Sequence, residues 1–145
     1  MLGGAGAIEL VIPAKLEFLD LVDNVVEAVN ELMHFDEEER TAVSISVVEA
    51  GTNAIQHGCR NGGECQVRLS FLVEQDALTV TVRDPGPGFD PGTLPDPTSP
   101  ENLLRERGRG IFIMRQMMDE VEFGFDQGTT VRLVKRRPRV VPAGS

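Results

Sequence analysis

The stretch DEEERTAVSISVVEAGTNAIQHG, residues 36–58, predicts the helix around which the fold is organised. Its first turn carries a capping box, because the Asp36 side chain can cap the helix while Glu39 reaches back to the Asp36 backbone. The apolar residues that follow recur at helical spacing and predict a buried face made of Val43, Val47, Ala50 and Ala54. Gly58 favours a left-handed stop, so we expect the helix to end near His57.

On the N-terminal side of this helix, the sequence predicts one strand and one further helix. Residues Ala7–Ile12 alternate between apolar and polar and stop at Pro13, which is typical of a strand at the edge of a sheet. Residues Lys15–Met33 predict an amphipathic helix with a single buried stripe, made of Phe18, Val22, Val25, Val29 and Leu32.

On the C-terminal side, the sequence predicts four strands and one helix. The Gly- and Pro-rich segment Asp84–Pro100 predicts a long loop, and a long loop in a compact domain is usually functional or disordered. Helices that separate groups of strands in this way predict an α+β two-layer sandwich. In chain order, the expected elements are strands Gln66–Val73 and Leu78–Arg83, helix Gly110–Met118, and strands Glu120–Phe125 and Thr129–Val134.

The composition limits the kinds of partner and the cellular location. The chain of 145 residues has a formal net charge of -9, which repels phosphate backbones, so we expect no nucleic-acid binding. No apolar stretch approaches the ~20 residues of a membrane span, and the N-terminus does not resemble a signal peptide, so we expect no membrane association. We expect Cys59 and Cys65 to be free thiols in a reducing compartment and therefore predict a cytoplasmic protein.

The first chemical motif lies on the central helix. Glu49, Asn53 and His57 are four residues apart and share one stripe of that helix. The carboxylate can orient or deprotonate an attacking hydroxyl or water, and the amide oxygen suits Mg²⁺, a hard cation. A solvated polar face would show the same spacing, so this motif alone leaves both interpretations open.

The second motif, Asp84-Pro85-Gly86-Pro87-Gly88-Phe89, directly follows a predicted strand. An ionised Asp only accepts hydrogen bonds, and it suits the exocyclic amine of adenine. Gly86 and Gly88 let the backbone pass close under a planar base and sugar. A plain Pro/Gly turn is the alternative.

Two further motifs favour phosphate and base contacts. Gly108-Arg109-Gly110 opens a helix, where backbone N–H groups favour phosphate, and Arg105 adds positive charge nearby. Gly128-Thr129-Thr130 enters the last strand and places hydroxyls where they can reach a base or the Asp84 carboxylate. A flexible linker and an ordinary hairpin are the respective alternatives.

Together, the motifs resemble those of the GHKL ATPase superfamily, which groups gyrase, heat-shock chaperone, histidine kinase and mismatch-repair ATPases. Glu49–Ala54 is similar to the asparagine box of that superfamily, and Asp84–Phe89 to its first glycine box. Gly108–Ile111 is similar to the second glycine box, and Gly128–Thr130 to the last motif. The continuations Ile55–Gly58 and Ile111–Asp119 and the short lid resemble bacterial anti-sigma-factor serine/threonine kinases in particular.

The resemblance implies a fold and a division of the chain. It implies the GHKL, or Bergerat, fold, with helices on one face of a mixed, mostly antiparallel sheet. The kinase domain would span residues 7–135, and residues 136–145 would form a basic, flexible tail.

The resemblance also implies roles for single residues. Asn53 would hold Mg²⁺ at the phosphates of ATP or ADP, and Glu49 would act on a Ser/Thr hydroxyl of a partner. Asp84 would bind the adenine amine. The remaining nucleotide-binding positions would be His57, Gly86, Gly88, Phe89, Arg105, Gly108, Arg109, Gly110, Ile111, Thr129 and Thr130.

The implied partners are an anti-sigma-factor antagonist, a sigma factor or both, and a second copy of the chain. A nucleotide-dependent binding module without kinase activity is the main alternative, and Glu49 discriminates, because a pure binder needs no base there. A histidine-kinase fragment is less favoured, because such a kinase needs an upstream helical hairpin with a phosphorylatable His. A gyrase-type ATPase would need a transducer domain.

Overall fold

The computed structural model describes residues 6–58, 65–85, 110–125 and 127–137, except for the side chain of His57. Five strands form one sheet: β1 (Gly6–Pro13), β2 (Gln66–Val73), β3 (Ala77–Asp84), β4 (Glu120–Gly124) and β5 (Thr129–Arg136). The helices are α1 (Leu19–Met33), which follows a short 3₁₀ turn at Leu16–Phe18, α2 (Glu37–Gly58) and α3 (110–117).

The strand order is β1-β2-β3-β5-β4, and all four pairings between the described strands are antiparallel. The helices cover one face of this sheet, so the predicted α+β two-layer sandwich is confirmed. β1 lies at one edge, as Pro13 predicts. Within the described ranges, none of the helices combines the length and apolarity of a membrane span.

The predicted start of α2 is confirmed atom by atom. The Glu39 backbone N–H donates to Asp36 Oδ1 at 2.8 Å, and the Asp36 N–H donates to Glu39 Oε1 at 2.9 Å. This reciprocal pair satisfies backbone donors that the first helical turn leaves free. The predicted apolar face of α2 is also buried, at Val43, Val47, Ala50 and Ala54.

The core lies between this face of α2, the buried stripe of α1 and the inner face of the sheet. Inward residues alternate along the strands, as in Val67, Leu69 and Phe71 of β2. The alternation sends the neighbouring residues, such as Arg68, to the helix-free face of the sheet. The residues of β1, β3 and β5 alternate in the same way between the helix-covered face and the helix-free face of the sheet.

Two sequence predictions about this part of the chain are wrong. The stripe predicted for the first helix includes Leu32, but the Leu32 side chain is 47% exposed and Met33 is buried instead. The reason is that α1 carries two apolar stripes, one residue apart. Cys65, directly before β2, is disulfide-bonded and is not the free thiol that we expected. Cys59, the other cysteine of the chain, lies outside the described residues.

The described part of the chain extends past the predicted domain boundary. Arg136 is the last residue of β5, and the Arg137 side chain donates to the carbonyl oxygens of Met33 and Gln75 at 3.1 and 2.7 Å. These two residues therefore belong to the fold, although we predicted a tail from position 136. The rest of the predicted tail, residues 138–145, lies outside the described residues.

Candidate functional site

The second half of α2 carries the pair on which the predicted site rests. Asn53 is 8% exposed, and Glu49, one turn earlier, is half-buried. The Asn53 Nδ2 atom is buried, and none of the described residues forms a hydrogen bond with it. A buried amide group without a partner costs free energy of about 1–3 kcal/mol, so its retention indicates a position built to contact a ligand.

The first residue of α3 closes over this pair. A Cβ atom at position 110 would lie 2.8 Å from Glu49 Oε2 and 3.1 Å from Asn53 Nδ2. Only glycine therefore fits here without displacing one of these polar groups. The structure thus brings Gly110, from the second predicted glycine motif, into contact with the carboxylate and the amide of the first motif.

The carboxylate of Glu49 is held by little else. Among the residues that the structure describes, none donates a hydrogen bond to it or forms an ion pair with it. A carboxylate with free lone pairs at the edge of a buried site can accept a proton from a neighbouring hydroxyl.

A second cluster forms where β3 ends and β5 begins. Asp84 is 2% exposed, and Thr129, its partner in the strand register, is 3% exposed. Both side chains lie on the helix side of the sheet, because they continue the alternation of Val82 and Val131. A buried carboxylate at the end of a strand needs hydrogen-bond donors, which an adenine amine can supply.

The turn before β5 presses against this cluster. Gly128 has φ +117°, and a Cβ atom on it would lie 2.1 Å from the Asp84 carbonyl oxygen and 2.7 Å from the Pro85 carbonyl carbon. Gln127 precedes it with φ 54°. The sequence indicated only a hairpin turn at Gln127–Gly128, and it did not reveal that the glycine sets the distance to the Asp84 backbone.

The register places the two threonines of the last motif on opposite faces. Thr130 pairs with Arg83, so its side chain lies on the helix-free face rather than beside the Asp84 carboxylate. There it lines a groove of about 850 Å³ together with Arg68 and Arg83. Thr129, and not Thr130, therefore lies on the same face of the sheet as the Asp84 side chain, because adjacent strand residues point to opposite faces. The roles of the two hydroxyls stay predictions.

The remaining predicted positions divide into two groups. Ile111 is 2% exposed and packs in the core directly beside Gly110, so it positions the start of α3. Several predicted positions lie outside the described residues, namely Gly86, Gly88, Phe89, Arg105, Gly108, Arg109 and the side chain of His57.

The described residues contain no group of three or more His, Cys, Asp or Glu side chains placed to hold a metal ion. The Asn53 Nδ2 atom, which has no partner among the described residues, is a hydrogen-bond donor and suits an acceptor such as a phosphate oxygen, whereas the side-chain oxygen of Asn53 is of the type that can ligate a cation. Mg²⁺ is commonly bound in this way, through one or two protein ligands and substrate phosphates.

Comparison with known proteins agrees with this geometry. Residues 12–135 match the histidine kinase-like ATPase domain. A relative from Bacillus pumilus named serine-protein kinase RsbW is 35% identical over 136 residues, which cover 88% of this chain and 84% of the relative. The Bacillus subtilis protein of the same name is 32% identical over 144 residues, or 93% of this chain and 88% of the relative.

A solved structure of the RsbU and RsbW domains of Rv1364c from Mycobacterium tuberculosis superimposes with a TM-score of 0.68. It is 14% identical, so it shows the fold alone; the match covers 92% of this chain and 33% of that one. The resemblance inferred from the motifs is confirmed by the family match and the relatives. The chain belongs to the histidine kinase-like ATPase family and, within it, to the serine-protein kinases of the RsbW type.

Proposed function

We propose that this protein is an ATP-dependent serine/threonine protein kinase of the anti-sigma-factor type, which phosphorylates a partner regulatory protein. The observation that carries the proposal is the contact of Gly110 with both Glu49 and Asn53. At the start of α3, it brings together a buried amide and a carboxylate that forms no hydrogen bond or ion pair with the described residues. A module that only binds a nucleotide has no need of that carboxylate.

In the proposed reaction, the Ser/Thr hydroxyl oxygen of the partner forms a bond to the γ-phosphorus of ATP. The bond from that phosphorus to the bridging oxygen of ADP breaks, and Glu49 accepts the hydroxyl proton. Asn53 would hold Mg²⁺, which neutralises charge on the phosphates when it is bound. The chain's own contribution is to position the reacting groups and to exclude water.

The adenine end of the nucleotide would lie at the second cluster. We assign the exocyclic amine to Asp84, because its buried carboxylate accepts hydrogen bonds only. Gly86, Gly88, Phe89 and His57 would complete the pocket, and Arg105, Gly108 and Arg109 would contact the phosphates. These assignments rest on the motifs, and Thr129 rather than Thr130 belongs to the pocket.

The proposal extends to partners and location. The relatives' name, serine-protein kinase, supports a protein substrate with a serine hydroxyl. We propose an anti-sigma-factor antagonist as this substrate, a sigma factor as a sequestered partner, and a cytoplasmic location. The location rests on these partners, because the disulfide of Cys65 removes the argument from free thiols. A homodimer formed through the edge strand β1 is part of the same proposal, since an edge strand presents unpaired backbone groups.

The test compares Glu49→Gln with the wild type, using labelled ATP and candidate antagonist proteins encoded near the gene. Removal of a general base lowers kcat by about 10²–10⁴-fold, while the Kd for a fluorescent ATP analogue should change by less than about threefold. Glu38→Gln is the matched control, because it neutralises an exposed carboxylate at the other end of α2.

Two results would contradict the proposal. Transfer by Glu49→Gln at the wild-type rate would exclude Glu49 as the base. ATP binding by the wild type, without transfer to any antagonist that it binds, would favour the nucleotide-dependent binding module.

A further inference from the structure

The helix-free face of the sheet carries four arginines among the described strands, and Arg83 differs from the other three. Each of those three forms an ion pair with a glutamate of the same face: Arg68 with Glu9 at 3.5 Å, Arg132 with Glu122 at 3.6 Å, and Arg136 with Glu120. The Arg83 side chain is exposed, and none of the residues that the structure describes forms a hydrogen bond or an ion pair with it. Its guanidinium group can therefore bind a ligand without first breaking a contact to the described residues.

Arg83 also lies directly opposite a second arginine. Arg68 and Arg83 are partners in the antiparallel register of β2 and β3. The Cβ atoms of such partners are only about 4.5–5.5 Å apart, and like charges in this position destabilise a sheet. The ion pair of Arg68 with Glu9 offsets little of the repulsion, because the two side chains are 57% and 59% exposed. An anionic ligand between the two guanidinium groups would turn this repulsion into attraction.

Both arginines line the groove of about 850 Å³ on the helix-free face. This volume is within the range of ~300–1,000 Å³ that is typical of sites for small molecules. Three half-buried hydroxyl side chains line the same groove, namely Ser70, Thr81 and Thr130. The register places Thr130 beside Arg83, and it places the pair of Ser70 and Thr81 two residues further along the same face. The groove thus offers hydroxyl donors next to two guanidinium groups.

The groove is separate from the proposed nucleotide pocket. The side chains of Asp84 and Thr129 lie on the helix side of the sheet, whereas those of Arg83 and Thr130 lie on the helix-free side. The sheet itself therefore stands between the two sites. The arginine pair belongs to β2 and β3, inside the sheet. A homodimer through the backbone groups at the edge of β1 would leave this pair open to a ligand.

We propose that the groove binds a small phosphate monoester, with the phosphate group between Arg68 and Arg83. The phosphate oxygens would accept hydrogen bonds from both guanidinium groups and from the hydroxyls of Thr81 and Thr130. Arginine suits this ligand, because its planar fork of N–H donors matches two phosphate oxygens at once. A phosphate monoester carries close to two negative charges at neutral pH and so neutralises both members of the pair. The proposal goes beyond the kinase function and does not depend on it.

The test is a titration of the isotope-labelled protein with phenyl phosphate, followed by NMR with and without saturating ADP. We expect the amide signals of Arg83 and Thr130 to shift. Benzenesulfonate, which has the same ring but one negative charge, should bind at least about fivefold more weakly. In Arg83→Gln, affinity for phenyl phosphate should fall by about tenfold or more, because a hydrogen bond to a charged group is lost. Arg136→Gln is the matched control. It removes an arginine of the same face, six residues (136 − 130) or about 20 Å along β5 from Thr130, and should change affinity by less than about twofold.

Stability and ATP binding distinguish a ligand site from a structural role of Arg83. Arg83→Gln should keep or slightly raise the midpoint of urea denaturation, because it removes one of two adjacent like charges. Its ATP affinity should stay within about twofold of the wild type, and circular dichroism verifies that it is folded. A wild type that phosphorylates no partner would leave these expectations unchanged, so failure of the kinase proposal is recognised separately.

Several results would overturn the proposal of a phosphate site. One is the absence of phenyl phosphate binding, and another is equal binding by the wild type and Arg83→Gln. Loss of binding when ADP is added would place the ligand in the nucleotide pocket. A lower urea midpoint of Arg83→Gln would show that the arginine serves the fold. A dimer in sedimentation that Arg83→Gln dissociates would show that the pair contacts a second copy of the chain.

Discussion

Gly110 and Gly128 both lie at positions where the structure has no room for a side chain, but the neighbours that restrict the space are different. A Cβ at position 110 would meet the end of a flexible side chain, Glu49 Oε2 at 2.8 Å. A Cβ at position 128 would meet backbone, the Asp84 carbonyl oxygen at 2.1 Å, and would sit at φ +117°. The first glycine therefore makes room for the proposed chemistry, and the second makes the local fold possible.

The two glycines therefore have different roles, one in the proposed chemistry and one in the local fold, although both belong to glycine-containing motifs in the sequence. A carboxylate can rotate away from a new methyl group at small cost, although it then leaves its position in the site. A strand end and a neighbouring turn cannot separate without breaking the register between β3 and β5. The same substitution should therefore damage function at one glycine and stability at the other.

The largest effect is expected for Gly128→Ala. The positive φ and the backbone overlap should together lower the free energy of unfolding by about 3 kcal/mol. Urea denaturation followed by circular dichroism measures this change. Gly124→Ala is the matched control, because its Cβ would have Thr130 at an ordinary 3.9 Å, and it should stay within about 1 kcal/mol of the wild type. Equal stability of the two variants would contradict the structural role of Gly128.

Asp84→Asn should separate the function of the second cluster from its architecture. The amide keeps the shape of the side chain but offers an NH₂ group and no charge to the adenine amine. A lost hydrogen bond to a charged group costs about 1.5–3 kcal/mol, so ATP affinity should fall by about 10–100-fold. Isothermal titration with ATP and with GTP checks this. Unchanged ATP affinity would exclude the adenine assignment.

Gly110→Ala should behave in the opposite way to Gly128→Ala. Its unfolding free energy should change by less than about 1 kcal/mol, because alanine favours the helix and Glu49 can move. The rate of phosphotransfer should fall by about tenfold, since a displaced base loses its alignment with the hydroxyl. Gly51→Ala is the control on α2, where a Cβ would meet, among the described residues, the Leu19 side chain at 3.1 Å. A stability loss as large as that of Gly128→Ala would erase the distinction.

The sequence predicted local features of the fold well, because they depend on neighbours in the chain. The capping box at Asp36 and Glu39 and the face of α2 that includes Val47 are both confirmed. The pairing of Glu49 with Asn53 also follows from helical spacing alone. That Gly110 closes over this pair depends on how α3 packs, and it was not predicted; the resemblance to a family implied only that Gly110 contacts the nucleotide.

Errors arose where two patterns were equally good or where the partner was distant in the sequence. In α1, stripes containing Met33 and Leu32 satisfy the same periodicity, and packing against the sheet selects the first. In β5, the side on which Thr129 lies is fixed by its register with Asp84, 45 residues earlier by sequence number (129 − 84). A one-residue change of register would exchange the two threonines.

That register gives the smallest and most selective prediction. Thr129→Val should weaken ATP binding by about threefold to tenfold, because it replaces a hydroxyl on the Asp84 side of the sheet with a methyl group of similar volume. Thr130→Val alters the helix-free face and should change ATP affinity by less than about twofold. Both substitutions favour strand structure, so neither should lower stability by more than about 1 kcal/mol. A difference in ATP affinity between the two variants therefore indicates which face of the sheet contacts the nucleotide. A larger loss of affinity in Thr130→Val would show that the nucleotide binds in the groove beside Arg83 and not beside Asp84 and Thr129. The difference between Gly110 and Gly128 would then need a different functional explanation.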